Sequence, residues 1–205
     1  MARPRKISNA DILAVARDEF LKHGVFGSTK EIARRAGLSE AGLFKRFSTK
    51  AQLFIAAMAP PTPGIEGIIE RAAKTNSARK ALHILSDGIL DYFRVALPMI
   101  IPLVSHPSFT ATDLPKNFDT SAATGLMQAV AHYLKDEQAR GRIALPSPQA
   151  AAANLIAALH SIALFEIMGF HGGVMPQAGV HAMVDALWHG LDPARNKNVR
   201  KEARS

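Results

Sequence analysis

The chain has 205 residues, 48% of them apolar, and a formal net charge of +8. That length fits one large domain or two small ones, with enough apolar residues for a real core. Cysteine is absent, which excludes disulfides and thiolate metal sites.

The charge is uneven. Residues 1–50 hold eleven Lys and Arg against five Asp and Glu, and residues 195–205 hold five against one. The stretch between them carries slightly more acid than base. Phosphate neutralisation supplies most non-specific affinity for DNA, so base gathered at one end is the pattern of a nucleic-acid binder. Arg3, Arg5 and Lys6 form a basic arm ahead of the first helix, of the kind that enters a minor groove. The run from Arg195 to Arg204 has no apolar periodicity and reads as a disordered, solvated tail.

In chain order, Ser8 is placed to cap a helix running to about His23 and closed by Gly24. Ile12, Leu13, Ala16 and Phe20 make its apolar stripe. Ser28 with Glu31 has the capping-box spacing and opens a short helix with Ile32, Ala33 and Ala36 inside. Gly37 follows where a helix C-terminus favours positive φ, and Leu38 is a buried-looking turn residue. Ser39 caps the next helix, Glu40 to Arg46. Its Leu43 and Phe47 face the core; Glu40, Ala41, Gly42, Phe44 and Lys45 stay outside. Thr49 caps a third start, with Gln52 at the box position. Two short helices, a tight turn and a third start are the grammar of a helix-turn-helix, which sets a short helix in the DNA major groove. The plain alternative is a helical hairpin with no DNA role; the charge pattern favours DNA.

Residues 8–54 resemble the TetR-type (tetracycline-repressor-like) transcriptional regulators. The resemblance rests on Phe20, Gly24, Ser28, Ile32-Ala33, Ala36-Gly37-Leu38-Ser39, Gly42, Leu43, the aromatic at 44, Phe47, Lys50 and Leu53-Phe54. It implies an all-α homodimer. A helix-turn-helix DNA-binding domain comes first, then a larger helical domain for dimerisation and ligand sensing. Position 44 is usually tyrosine in this family, with its hydroxyl on a DNA phosphate; Phe44 keeps the packing and loses that bond. DNA contacts are expected from Arg3, Arg5, Lys6, Thr29, Lys30, Ser39, Ala41, Gly42, Phe44, Lys45, Arg46 and Lys50. Thr29 and Lys50 are expected at phosphates, and Ala41, Gly42 and Lys45 at base edges.

Pro60-Pro61-Thr62-Pro63-Gly64 ends the helix that starts at Lys50. The connecting helix usually runs longer in the family. A short helix is expected from Ile65 to Thr75. Ser77 then caps a long pattern with Leu82, Leu85, Ile89, Phe93, Ala96 and Ile100 on one face, which Pro98 and Pro102 should kink or divide. His106 to Asp119 reads as a loop. Thr120 to Arg140 resumes as a helix with Leu126, Met127, Val130 and Leu134 inward, stopped by Gly141. Ser147 caps Pro148 to Met168, which is apolar nearly all round. After a break at Gly169 to Gly173, Gln177 to Leu191 is helical again. A helix apolar on most sides must be covered on more than one. A second subunit supplies that cover through a twofold four-helix interface. The expected interface residues are Leu155, Leu159, Ile162, Glu166, Val180, Met183, Val184, Leu187 and Trp188. The domains are thus expected at 1–49 for DNA, 50–194 for ligand and dimer, and 195–205 for the tail.

Enzyme chemistry finds little footing. None of the eight histidines shows an i, i+4 arrangement with a carboxylate of the kind that His-Glu-x-x-His metal sites need. There is no phosphate loop, no Gly-x-Ser-x-Gly elbow and no dinucleotide fingerprint. No catalytic, metal or cofactor site is expected, and Glu166 reads as a paired or interface-edge carboxylate. The segments that surround the pocket in similar proteins carry Phe93, Leu97, Met99, Ile100, Phe109, Phe118, Met127, Tyr133, Phe165 and Met168. As a set they suit a small apolar ligand; singly, each reads as core. No secretory signal is visible, and apolar runs such as Leu97 to Val104 are too short to span a bilayer, so a cytoplasmic protein is expected. The leading expectation is a ligand-responsive regulator, a repressor that binds a palindromic operator as a homodimer. The alternative is a helical ligand-binding or enzymatic protein whose N-terminal unit is only structural.

Overall fold

The computed structural model describes residues 7–107, 120–170 and 172–191, and among them every regular element is helical. The helices are α1 Asn9–His23, α2 Thr29–Arg35, α3 Glu40–Phe44, α4 Lys50–Ala57, α5 Ile65–Ala73, α6 Ala78–Val104, α7 Thr120–Ala139, α8 Pro148–Met168 and α9 Gln177–Leu191. The all-α reading therefore holds. The expected loop at 108–119 and the basic tail from 195 lie outside the described residues.

The chain forms two compact units: residues 1–61 with 96–119, and residues 62–95 with 120–205. The first unit thus includes α4 and the end of α6, beyond the boundary expected at 49. The reason is apolar burial. Ile12, Phe20, Ile32, Leu43, Leu53, Phe54, Met58, Met99 and Leu103 share one core. Ring contacts extend it: Phe54 meets Phe20 edge-on at 5.0 Å and stacks on His106 at 5.0 Å. A unit of fifty residues has too little interior to close alone, and Met99 and Leu103 add to it.

The helix ends follow the local chemistry closely. Ser8, Ser28, Ser39, Thr49 and Ser147 all accept a backbone N–H as N-caps. Gly37 sits at φ +66° in the turn between α2 and α3, where a side chain would be strained. One expected capping box is only half made. Glu31 turns away from Ser28 to grip Arg34, at 2.6 and 2.7 Å. The Ser28 N–H donates instead to Glu19, a buried carboxylate on α1, at 3.0 Å. Helix α3 is also shorter than expected, ending at Phe44 in place of Arg46.

In the second unit, α5 lies close on α6. A Cβ at Gly88 would stand 2.8 Å from Ile68, so glycine permits the approach. Pro98 and Pro102 do not divide α6, which runs 27 residues with both inside. They are four residues apart, so their missing N–H groups fall along one line of the helix, and the other faces keep their bonds. The break at 60–64 behaves as expected and ends α4 at Ala57.

Helix α8 corrects one expectation. It is long and apolar enough to cross a membrane by length and composition, with a mean hydropathy of 1.6 over its most apolar window. Its inner face is nevertheless core: Ala152, Leu155, Leu159 and Ala163 are fully covered by the chain itself. Near its end Glu166 accepts from Nε and Nη2 of Arg94, at 2.9 Å each, and from the Met175 N–H at 2.8 Å. A membrane-facing helix has no use for such a pair. Glu166 is thus a paired carboxylate, as expected.

Candidate nucleic-acid interface

Helices α2 and α3 are joined by Ala36 to Ser39 and share the core of the first unit through Ile32, Ala33, Ala36 and Leu43. Burying those positions leaves one exposed face. Lys30, Ser39, Glu40, Ala41 and Lys45 are exposed, and Thr29, Gly42, Phe44 and Lys50 are half-buried. Residues 29–50 thus bring together Thr29, Lys30, Ser39, Ala41, Gly42, Phe44, Lys45 and Lys50. Arg3, Arg5 and Lys6 lie outside the described residues.

Thr29 and Arg46 are engaged in ways the sequence did not suggest, while Ser39 serves the cap expected of it. The Thr29 hydroxyl donates to the Glu40 carboxylate and ties the start of α2 to the start of α3. The Ser39 hydroxyl is used as the N-cap of α3, accepting from the Gly42 N–H at 3.1 Å. Arg46 turns inward: its Nη1 donates to the Ile7 carbonyl at 2.8 Å and to Asn9 Oδ1 at 3.3 Å. Arg35 likewise faces Asp18, at 3.1 Å. Lys30, Lys45 and Lys50 are the cations of this face that pair with no carboxylate among the described residues. Pairings between residues 11 to 39 positions apart leave no periodic mark, which is why sequence reading missed them.

The second unit holds different chemistry. A cleft of about 460 Å3 opens between Ile69 of α5 and Gly125, Ala129 and Tyr133 of α7, with Gln128, His132 and Asp136 at its rim. Among the described members of the expected pocket set, Tyr133 alone lines it. Leu97, Met99 and Ile100 belong to the first unit, and Met99 is part of its core. Phe93 is buried, and Met127 half-buried. Phe165 and Met168 are exposed on α8, while Phe109 and Phe118 lie outside the described residues. Burial and the negative charge of Glu137 push the Tyr133 hydroxyl up to about 12, and it has no hydrogen-bond partner among the described residues.

The expected interface set also divides. Leu155, Leu159, Ile162, Val180 and Val184 are buried by their own chain and have almost no surface left for a partner. Met183, Leu187 and Trp188 are half-buried. The histidine reading needs correction as well. His83 and Asp87 on α6, and His181 and Asp185 on α9, each stand four residues apart in a helix. They pair crosswise, His83 with Asp185 at 2.8 Å and His181 with Asp87 at 2.9 Å. Their spacing was legible in the sequence. Among the described residues no group of three or more acidic or histidine side chains is set to hold a metal ion.

Residues 12–57 match the model of the bacterial regulatory proteins of the tetR family. That segment, α1 to α4, is similar to the DNA-binding part of those regulators. Solved structures agree on the fold. A protein of unknown function from Rhodococcus sp. RHA1 is 23% identical, with 93% of this chain and 100% of that one covered and a TM-score of 0.67. A protein of Mesorhizobium loti MAFF303099 assigned to the TetR-family regulators is 21% identical, with 88% and 95% covered and a TM-score of 0.66. NalD of Pseudomonas aeruginosa, the secondary repressor of the MexAB-OprM multidrug efflux pump, is 21% identical, with 89% and 95% covered and a TM-score of 0.55.

Proposed function

We propose that this chain is a TetR-type transcriptional regulator, a cytoplasmic repressor that binds a palindromic operator as a homodimer and is released by a small amphipathic effector. The observation that carries the DNA half is the exposed face of α2 and α3. Its buried side is a single apolar core, and Lys30, Lys45 and Lys50, unpaired with carboxylates among the described residues, remain for phosphates and bases. Thr29 meets a phosphate once DNA draws its hydroxyl from Glu40. Ala41 and Gly42 allow close approach to base edges. The small side chains there leave discrimination to few groups.

Dimerisation is supported by what one chain leaves bare. Phe165, Ile167 and Met168 of α8 are exposed at 38%, 46% and 54%. Asn154 and Ala157 continue that face, and α9 offers Ala178, Ala182 and Ala186 beside half-buried Met183 and Leu187. Small residues spaced by four let helices pack closely, and a twofold four-helix interface covers both stripes. A twofold protein reads a twofold site.

Effector binding is supported by the α5–α7 cleft. Its volume lies within the usual range for small-molecule sites, and its lining combines apolar Ile69, Ala129 and Tyr133 with polar Gln128, His132 and Asp136. Helix α6 gives the route for a signal, since it begins in the second unit and contributes Met99 and Leu103 to the core around Phe54. NalD is itself named a repressor of an efflux pump, which agrees with a repressing role.

The test is selection of binding sites from a random duplex library. An enriched inverted repeat, bound at two chains per site, is the expected result. Enrichment of a single asymmetric half-site bound by one chain would remove the dimeric reading, and no enrichment would remove sequence-specific binding.

A further inference from the structure

Glu40 opens α3 on the face that the two short helices leave bare, and it is the one carboxylate of residues 39–50. Helix α3 offers few other groups there. Ala41 and Gly42 have side chains that form no hydrogen bond, Leu43 is buried and Phe44 is half-buried. Lys45 follows, so the long polar side chains of residues 40–45 are one acceptor and one donor. Glu40 is exposed, and among the described residues no Lys, Arg or His pairs with it. Its partner lies on the other helix: the Thr29 hydroxyl donates to Glu40 Oε1 at 2.5 Å, across 11 positions. An acid in the first turn of a helix is ordinary. A bond from it to the first residue of the preceding helix is not part of that role.

A hydroxyl carries a single proton. A phosphate oxygen only accepts, so Thr29 can donate to a phosphate only by withdrawing its proton from Glu40. The carboxylate is then an acceptor without a donor on a surface closed against DNA, and an unanswered charge there is costly. Phosphates repel it. What the major groove can offer is an exocyclic amine. Cytosine presents its N4 amine with no acceptor of its own beside it. Adenine sets N7 next to its N6 amine, and guanine and thymine present O6 and O4, all of which a carboxylate rejects. We propose that Glu40 is a specificity-determining residue, its carboxylate accepting from a cytosine N4 amine when Thr29 passes its hydrogen bond to a phosphate. This rests on the DNA-binding reading above.

The two contacts are exchanged together. On a duplex with cytosine at the right place, the phosphate satisfies Thr29 and the amine satisfies Glu40. On any other duplex one of them goes without. Either Thr29 stays on Glu40 and the phosphate contact is lost, or Glu40 faces the groove with no donor. A phosphate contact carries no sequence information of its own; linked to Glu40 in this way, it adds to discrimination at one base pair. Lys45 does not compete, since an ammonium takes the O6 and N7 acceptors of guanine.

Selection from a random duplex library with the full wild-type chain, Glu40→Ala, Glu40→Gln and Thr29→Val tests this. Wild type should enrich cytosine at one fixed position of each half-site, by about tenfold over the other bases, toward the lower end of what a good base contact gives. Glu40→Ala should lose that preference and keep the rest of the motif. Glu40→Gln should move it to adenine, whose N6 and N7 suit an amide. Thr29→Val should weaken all duplexes alike and keep the cytosine. An unchanged motif in Glu40→Ala would overturn the assignment. So would a Glu40→Ala protein that binds every duplex more tightly by one common factor, since Glu40 would then only repel phosphates. Loss of the cytosine in Thr29→Val would make Thr29 the reader and is equally contrary. Glu40→Gln keeps an oxygen for the Thr29 hydroxyl, so it carries the test if Glu40→Ala fails to fold, and an unshifted cytosine in it contradicts the proposal. Absence of any enriched motif with the wild-type chain would sink the DNA-binding reading, and with it this one, and is separable because it precedes any substitution.

Discussion

His83 and His181 stack face to face, with ring centroids 4.1 Å apart and planes within 5°, and each ring meets the aspartate of the opposite helix. Arg79 completes the cluster by donating to the two Asp185 oxygens from Nε and Nη2. This crossed set ties α6 to α9 by polar contacts, where an apolar seam would be the simpler choice. It fixes which turn of α9 faces which turn of α6, and so orients the stripe of α9 that the proposed dimer uses.

The cluster sets an acid response. Hydrogen bonding from Arg79, and then from His83, holds the Asp185 carboxyl well below the usual carboxylate range. A depressed folded pKa stabilises the fold above the unfolded value near 4 and is lost as pH falls through the folded value. Asp185→Asn should therefore lower the melting temperature at pH 7. The gap to wild type should shrink as pH falls below about 4. Thermal melts of both proteins between pH 2 and 8 measure it, and a gap that widens in acid would contradict the assignment.

Tyr133 gives the opposite case. Its hydroxyl pKa is raised to about 12 by burial first and by Glu137 second. A raised folded pKa means stability present below the unfolded value near 10 and lost as pH climbs through the folded one. Tyr92 is also raised by burial, so tyrosinate absorbance should develop at higher pH in the folded protein than in the unfolded one, most strongly so for Tyr133. Tyr133→Phe removes a buried hydroxyl without a described partner, so stability should stay level or rise. A loss of more than about 1 kcal/mol would show that the hydroxyl has a partner in solution.

The helical interface separates two substitutions that sequence alone treats alike. Leu159 is fully buried in one chain, so Leu159→Glu leaves an unpaired charge in the core and should cost roughly 3–5 kcal/mol, seen as unfolding. Leu187 is half-buried on α9 beside the bare alanines, so Leu187→Glu should give a folded chain of monomer mass. Sedimentation with circular dichroism distinguishes the two. A stable Leu187→Glu dimer would move the interface elsewhere.

Much of the fold was legible in the sequence. The caps at Ser8, Ser28, Ser39, Thr49 and Ser147 are local chemistry, and local chemistry is written in short spacings. The helix bounds from Pro148 to Met168 and from Gln177 to Leu191 follow for the same reason. What stayed hidden was long-range. Leu159 and Leu187 share an apolar pattern, and only packing says which one the chain covers itself. Arg46 looks like a surface cation until its partner at Ile7 is known. The candidate pocket failed to assemble because a set of apolar residues carries no information about which unit each one joins.

The DNA face makes a graded prediction at Lys50, which follows the Thr49 cap at the first position of α4. Lys50→Ala should weaken all duplexes alike and lower the salt slope by about one per half-site. Changed sequence preference at an unchanged slope would place Lys50 at a base.

The central claim is sequence-specific DNA binding by the α2–α3 face, and a salt-titrated gel shift on DNA flanking the protein's own gene tests it most directly. The account predicts a shifted complex whose log affinity falls linearly with log salt and which survives excess scrambled duplex. Equal competition by the scrambled duplex, or binding indifferent to salt, would contradict it.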